Sequence, residues 1–160
     1  MSRPVLFLDL DGTVRHGRDE LGHFVNTADD VVIYPEARKL IHKWRVETWG
    51  AVIGVTNQAG VALGHISQEE HERITRRTWE DAVLDRIVSC THAPDAGCCC
   101  RKPKPGLIDE AIAWLRASGW HYDPTRSSCL MVGDRLEDEG AAKVAGIPFQ
   151  WAADWRASAT

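Results

Sequence analysis

Short runs of consecutive apolar residues recur along this chain, separated by amphipathic stretches long enough to be helices. That alternation is the pattern of a parallel sheet covered by helices on both faces. Val5-Leu6-Phe7-Leu8 opens the series. Ala37, Leu40, Ile41 and Trp44 then fall at i, i+3, i+4 and i+7, predicting a helix over 35–47 that Pro35 starts and Gly50 ends. A second strand is expected over 51–55, and Ser67 with Glu70 forms a capping box that opens a charged helix running to about 85. Ile87-Val88, a helix over 105–117 stopped by Gly119, and the strand Leu130-Met131-Val132 follow. A short helix over 137–145 ended by Gly146 and an edge strand over 147–151 complete the series. The expected class is α/β, a doubly wound parallel sheet in one domain of residues 1–160, with a tail from Ala152 that frays.

The composition is that of a folded chain. A hydrophobic fraction of 44% and a charged fraction of 26% over 160 residues provide one core and argue against disorder. The net charge of −4 leaves no global positive field for nucleic acid or an anionic membrane. No apolar run approaches the roughly 20 residues that cross a bilayer, and the N-terminus is too short and acidic for an export signal. The expected setting is the cytoplasm, as a monomer, with neither nucleic acid nor membrane as partner. There the 5 cysteines are reduced, and the clustered ones read as metal ligands rather than disulfides. The 7 tryptophans show no period and are read mostly as core or groove packing.

Two segments break the rhythm. Residues 15–34 are long, polar and interrupted by Gly17 and Gly22, which suggests a hairpin or flap above the first strand. Residues 91–105 form a cysteine-rich loop. Long loops in compact domains are usually functional. In a doubly wound sheet, ligands bind at the carboxyl ends of the strands.

The residues that follow each strand form a coherent set: Asp9-Leu10-Asp11-Gly12-Thr13, then Thr56-Asn57-Gln58-Ala59-Gly60, then Arg101-Lys102-Pro103, then Gly133-Asp134-Arg135 with Glu137 and Asp138. Taken singly, each piece reads as an ordinary turn, cap or solvated charge. Together and in order they have a chemistry. Carboxylates from two strands suit a hard cation such as Mg2+. A lysine and a threonine at a helix entry suit phosphate oxygens. One carboxylate can attack phosphorus while a second serves as acid and then base.

This set resembles the haloacid dehalogenase (HAD) superfamily of phosphatases over nearly the whole chain. The resemblance implies that Asp9 is the nucleophile and a Mg2+ ligand, and that Asp11 is the general acid/base with its backbone carbonyl on the metal. It further implies that Thr56 and Lys102 hold phosphoryl oxygens, that Asp134 completes the metal site, and that Asp138 orients water or supports Lys102.

Cys90 and His92, followed after five residues by Cys98-Cys99-Cys100, offer thiolates and an imidazole of the kind a structural Zn2+ takes. Spacing alone leaves open which of the three adjacent cysteines ligate, and an unmetallated or redox-paired cluster is the competing reading. The run Cys-x-His, a gap, then Cys-x-Cys-Arg-Lys-Pro resembles the zinc loop of the histidinol-phosphate and heptose-bisphosphate phosphatase branch. That resemblance implies Cys90, His92, Cys98 and Cys100 as ligands, with Cys99 a bystander. Asn57, Arg101 and Arg135 become candidates for holding the rest of the substrate.

Two features depart from the branch. Leu10 stands between the aspartates where the branch commonly carries Arg, and the chain is shorter, with no room for a cap domain over an open site. The function expected is Mg2+-dependent hydrolysis of a small phosphate monoester, with heptose 1,7-bisphosphate as leading substrate and histidinol phosphate next. A polynucleotide 3′-phosphatase and a non-catalytic zinc-stabilised interaction module are the alternatives. His16 and His23 in the flap, and Arg73, Arg76 and Arg77 on the charged helix, are expected to be surface groups.

Overall fold

The computed structural model describes residues 3–18, 24–119 and 126–160. The strands among them are β1 (Val5–Leu8), β2 (Arg15–His16), β3 (Val32–Ile33), β4 (Ala51–Asn57), β5 (Arg86–Cys90), β6 (Leu130–Gly133) and β7 (Phe149–Trp151). The helices are α1 (Pro35–Thr48), α2 (Gln68–Ala82), α3 (Gly106–Ala117), α4 (Leu136–Ala145) and α5 (Ala152–Ala157). Five strands form one parallel sheet in the order β5-β4-β1-β6-β7.

β1 is central and buried on both sides, so its side chains divide by the strand period of two. Val5 and Phe7 face a core built with Leu107, Ile108 and Leu115 of α3 and the alanines of α4. Leu6 and Leu8 face the opposite core, with Leu40 and Ile41 of α1, Ile74 of α2 and Trp155 of α5. Phe7 is fully buried; cutting such a side chain to alanine costs about 3–5 kcal/mol. The expected doubly wound sheet is therefore present, with helices on both faces.

The chain runs from β1 to β4 and β5 on one side, then crosses to β6 and β7 on the other. The strand order thus reverses beside β1, which is where ligands bind in this architecture. β2 and β3 pair antiparallel as the foot of a hairpin over that edge, Arg15 opposite Ile33 and His16 opposite Val32. Gly22 and His23 of the expected flap lie outside the described residues. Among the described residues no separate cap domain stands over the sheet, and none of their helices is long and apolar enough to cross a membrane.

Several expectations need correction. The charged helix stops at Ala82, three residues early, because Val83 turns left-handed (φ 57°) and Asp85 is drawn into the sheet, its carboxylate accepting the Val52 N–H at 2.8 Å. The last strand starts at Phe149 rather than 147, Ile147 being spent on the core. The tail does not fray: α5 buries Ala152 and Trp155 against α1 and the sheet. The tryptophans divide: Trp44 and Trp114 pack against the two cores. Of those described only Trp155 is buried, while Trp49, Trp79 and Trp151 are exposed.

Candidate active site

Asp9 follows β1 and Asp134 follows β6, one on each side of the point where the strand order reverses. The loop after Asp9 is closed by its own backbone. The carbonyl of Leu10 accepts the N–H groups of Thr13, Val14 and Arg15, and the Gly12 N–H donates to the carbonyl of Arg15. Gly12 sits at φ 82°, and a Cβ there would collide with the Asp134 carboxylate. Glycine serves twice at that position, in the turn and in the close approach of Asp134 to the loop. The next such approach is at Gly133, where a Cβ would strike the Asp138 side chain.

Asp9 is buried, and its two oxygens accept from Lys102 Nζ at 2.8 Å and from Thr13 Oγ1 at 3.3 Å. Lys102 is also buried and uses all three ammonium hydrogens, on Asp9, on Asp138 Oδ1 at 2.6 Å and on the Val55 carbonyl at 2.8 Å. Burial alone would pull the Lys102 ammonium down, but the charges of Asp9 and Asp138 outweigh it and the net shift is upward. Burial raises the Asp9 carboxyl above its usual range; Lys102 opposes the rise and Asp138 adds to it. The second oxygen of Asp138 accepts the N–H groups of Asp134 and Arg135, both at 3.1 Å, which caps α4. Asp138 thus joins Lys102 to the loop that presents Asp134.

One oxygen each of Asp9, Asp134 and Asp138 lies within 4.8 Å of the others. Asp138 is already committed to three donors, so Asp9 and Asp134 are the pair with room for a cation. Asp134 reaches solvent, yet desolvation and the adjoining Asp9 push its carboxyl up to about 6. Negative charge on this side of the site is short of a counter-ion, which fits a hard, oxygen-seeking cation.

Asp11 lies on the other flank. Arg15 Nε donates to its Oδ1 at 2.9 Å, and Arg15 Nη2 and Gln58 Nε2 donate to its Oδ2 at 3.3 and 2.7 Å. The Gln58 amide also donates to Thr56 Oγ1 at 2.8 Å, so Thr56 and Asp11 share one amide. Asn57 lines the cleft and grips the Lys102 backbone, its Oδ1 accepting the Lys102 N–H at 3.0 Å and its Nδ2 donating to the Lys102 carbonyl at 3.1 Å. Arg101 lines the same cleft with its Nη1 buried and without a hydrogen-bond partner among the described residues. Arg135 lies over the ring of Phe24, 5.4 Å from its centroid. The cleft holds about 350 Å³ and is walled by Phe24, Val25 and Ile66 opposite these polar groups.

The cysteine loop begins at the end of β5. Cys90 Sγ is 3.4 Å from His92 Nδ1 and 3.7 Å from Cys98 Sγ, and Cys100 Sγ is 3.2 Å from the same His92 nitrogen. A tetrahedron of zinc bonds has edges of about 3.8 Å between sulfurs and about 3.6 Å between sulfur and nitrogen. Those three edges are near the zinc values, and the four ligand atoms lie within 4.8 Å of one another, with Cys99 exposed and outside the group. The Arg101 backbone N–H is the largest of the influences that draw the Cys98 thiol down to about 6, and burial pushes Cys100 up to about 12. This loop leads directly into Arg101 and Lys102.

Of the expected site residues, Asp9, Asp11, Asn57, Arg101, Lys102, Arg135 and Asp138 line this cleft, Thr56 and Asp134 adjoin it through Gln58 and Asp138, and Cys90, His92, Cys98 and Cys100 gather in the cysteine cluster. Three contributors were missed. Gln58 was seen only as part of a motif. Arg15 reads in the sequence as the start of a polar flap, yet it is 2% exposed. Arg156 of α5 donates to the carbonyls of Gly12 and Thr13 at 2.8 and 3.0 Å and packs over Tyr34 at 4.1 Å. No local pattern marks Arg15 or Arg156, because each acts on a loop that only the tertiary fold brings near.

The family model described as HAD-hydrolase-like matches residues 99–152. The D-glycero-β-D-manno-heptose-1,7-bisphosphate 7-phosphatase of Pseudomonas aeruginosa is 34% identical over 148 residues, spanning 89% of this chain and 77% of its own. The protein of the same name from Haemophilus ducreyi is 34% identical over 163 residues, spanning 92% and 81%. Among solved structures, D,D-heptose 1,7-bisphosphate phosphatase from B. bronchiseptica, complexed with magnesium and phosphate, matches with a TM-score of 0.74 at 28% identity, over 91% of this chain and 78% of that one. Likeness of that extent, on a sheet that gathers these carboxylates and this lysine at its switch point, places the chain in the HAD superfamily of phosphatases, which are phosphoric monoester hydrolases.

Proposed function

We propose that this chain hydrolyses a sugar phosphate through an aspartyl-phosphate on Asp9, with heptose 1,7-bisphosphate as first candidate and histidinol phosphate as second. The observation that carries the reading is the buried Asp9–Lys102–Asp138 chain beside Asp134. An Asp9 oxygen attacks phosphorus, the ester P–O bond breaks, and Asp11 gives its proton to the leaving oxygen. Asp11 then takes a proton from water, the water oxygen attacks phosphorus, and the bond to Asp9 breaks to release phosphate. Thr56 and Lys102 bind the non-bridging oxygens, and Asp138 keeps Lys102 in place. Asn57, Arg101 and Arg135 border the leaving group, and the relatives' printed names favour a bisphosphate there.

Asp9, Asp134 and the Asp11 backbone carbonyl would hold Mg2+, which when bound neutralises charge on the transferring phosphoryl group. Cys90, His92, Cys98 and Cys100 would hold a structural Zn2+, which stiffens the loop leading to Arg101 and Lys102. We read residues 1–160 as one domain, with a flap over 15–34 and a zinc loop over 90–105, acting as a cytoplasmic monomer on a small-molecule ester. The test is turnover of a panel of sugar, amino-alcohol and nucleotide phosphates with and without EDTA. Metal-dependent turnover that is best on a sugar bisphosphate and lost in Asp9→Asn supports the reading; equal turnover by that variant overturns it.

A further inference from the structure

A guanidinium sunk into a small domain demands an explanation, because burying a charge is costly unless it is paired and hydrogen-bonded. Arg15 is among the largest fully buried side chains of this molecule. Its fork is spent on two neighbours. Nε and Nη2 grip both oxygens of Asp11, and Nη1 donates to Thr78 Oγ1 at 2.7 Å. Thr78 is itself fully buried, and its hydroxyl donates to the Ile74 carbonyl inside α2 at 2.9 Å. Asp11 is the only ion-pair partner of Arg15 among the described residues. The nearby His71 is held below its usual range by burial and by Arg15, so it brings no competing charge. The Arg15 backbone completes the loop that carries Asp11, accepting from Gly12 and donating to Leu10.

A two-point grip fixes the plane of a carboxylate, which a single contact does not. Gln58 supplies a third contact, from the side of Thr56. We propose that Arg15, anchored by Thr78, is the positioning residue for Asp11, setting where that carboxylate stands when it passes a proton to the leaving group. This rests on the acid/base role given to Asp11 above. The Arg15 side chain reaches the cleft through Asp11, so its loss bears most on the step in which Asp11 gives up its proton.

The test compares two substrates at saturating magnesium: p-nitrophenyl phosphate, whose leaving group departs without a proton, and glycerol 2-phosphate, whose leaving group needs one. Asp11→Asn is the reference. It should lower kcat/KM, which reports formation of the aspartyl-phosphate and not its hydrolysis, by roughly 10²–10⁴-fold on glycerol 2-phosphate and far less on p-nitrophenyl phosphate. Arg15→Met should reproduce the selectivity in kcat/KM at lower amplitude, roughly 10–100-fold on glycerol 2-phosphate and about threefold or less on p-nitrophenyl phosphate. Arg15→Lys, which keeps the charge and loses the fork, should fall between. If Arg15→Met unfolds the protein, Thr78→Val carries the test with the same selectivity in weaker form. Equal losses on both substrates in the Arg15 and Thr78 variants, with the Asp11 variant selective, overturn the proposal alone. Equal losses of kcat/KM in the Asp11 variant overturn the acid role on which it stands.

Discussion

Asp138→Asn isolates the buried chain of charges at its least exposed member. The substitution keeps the shape and replaces one acceptor oxygen by an NH2 group. Whichever way the amide turns, a donor then faces either Lys102 Nζ or the N–H groups of Asp134 and Arg135, all of which Asp138 now satisfies. Removing one partner of a buried ion pair costs about 3–5 kcal/mol. Lys102 keeps Asp9 and the Val55 carbonyl, so the loss should be about 2–4 kcal/mol. For a chain of this size that lowers Tm by about 5–15 °C. Turnover should fall as well, because Lys102 is left with Asp9 as its sole carboxylate partner and binds the nucleophile more tightly. Thermal melts and phosphatase assays on the same preparation read both effects. Asp134→Asn is the contrast: on the solvent side, it should cost activity without lowering Tm in metal-free protein. A Tm within about 2 °C of the parent for Asp138→Asn would refute the argument that this carboxylate organises the site.

Three further outcomes are expected. Because the folded protein holds the Asp134 carboxyl at about 6, against 3.8 for an ordinary aspartate, its ionisation costs the native state. The Tm advantage of Asp134→Asn over the parent, without metal, should therefore grow from pH 4 to about pH 6 and then level, and added Mg2+ should abolish it. Metal analysis should find about one zinc per chain, and Cys98→Ser should lose the metal and melt earlier; a zinc-free protein of full activity contradicts the reading of that loop. Arg156→Ala should loosen the Gly12–Thr13 carbonyls and lower kcat by about tenfold with the helices intact by circular dichroism, and an unchanged kcat shows that α5 does not brace the loop.

The sheet was legible because its strands are continuous apolar runs and its helices carry clean spacing, as in the Ala37, Leu40 and Ile41 face of α1. Ser67 caps α2, accepting the Glu70 N–H at 3.0 Å, but the expected box stays half made because the Glu70 carboxylate accepts the Ala28 N–H instead. The strand ends were legible because a doubly wound topology dictates where ligands bind, which groups Asp9, Thr56, Lys102 and Asp134 from their positions after the strands alone. What escaped depends on contacts distant in sequence. α2 ends at a valine in left-handed conformation, without the glycine that usually signals a stop. α5 is too short for a periodic signal, and its reason for existing is the pocket that receives Trp155. Arg15 looks like any arginine beside a turn until Gly12 folds the loop back and lays Asp11 against it, while Thr78 arrives from a helix 63 positions further on.

The most direct measurement is to quench turnover with acid in the millisecond range, using a phosphate ester labelled on phosphorus, and to map the label on the digested protein. A phosphoryl group on the peptide carrying residue 9, absent in Asp9→Asn, is the predicted result. Turnover that proceeds at the normal rate with no label on the protein, or with the label on another side chain, contradicts it.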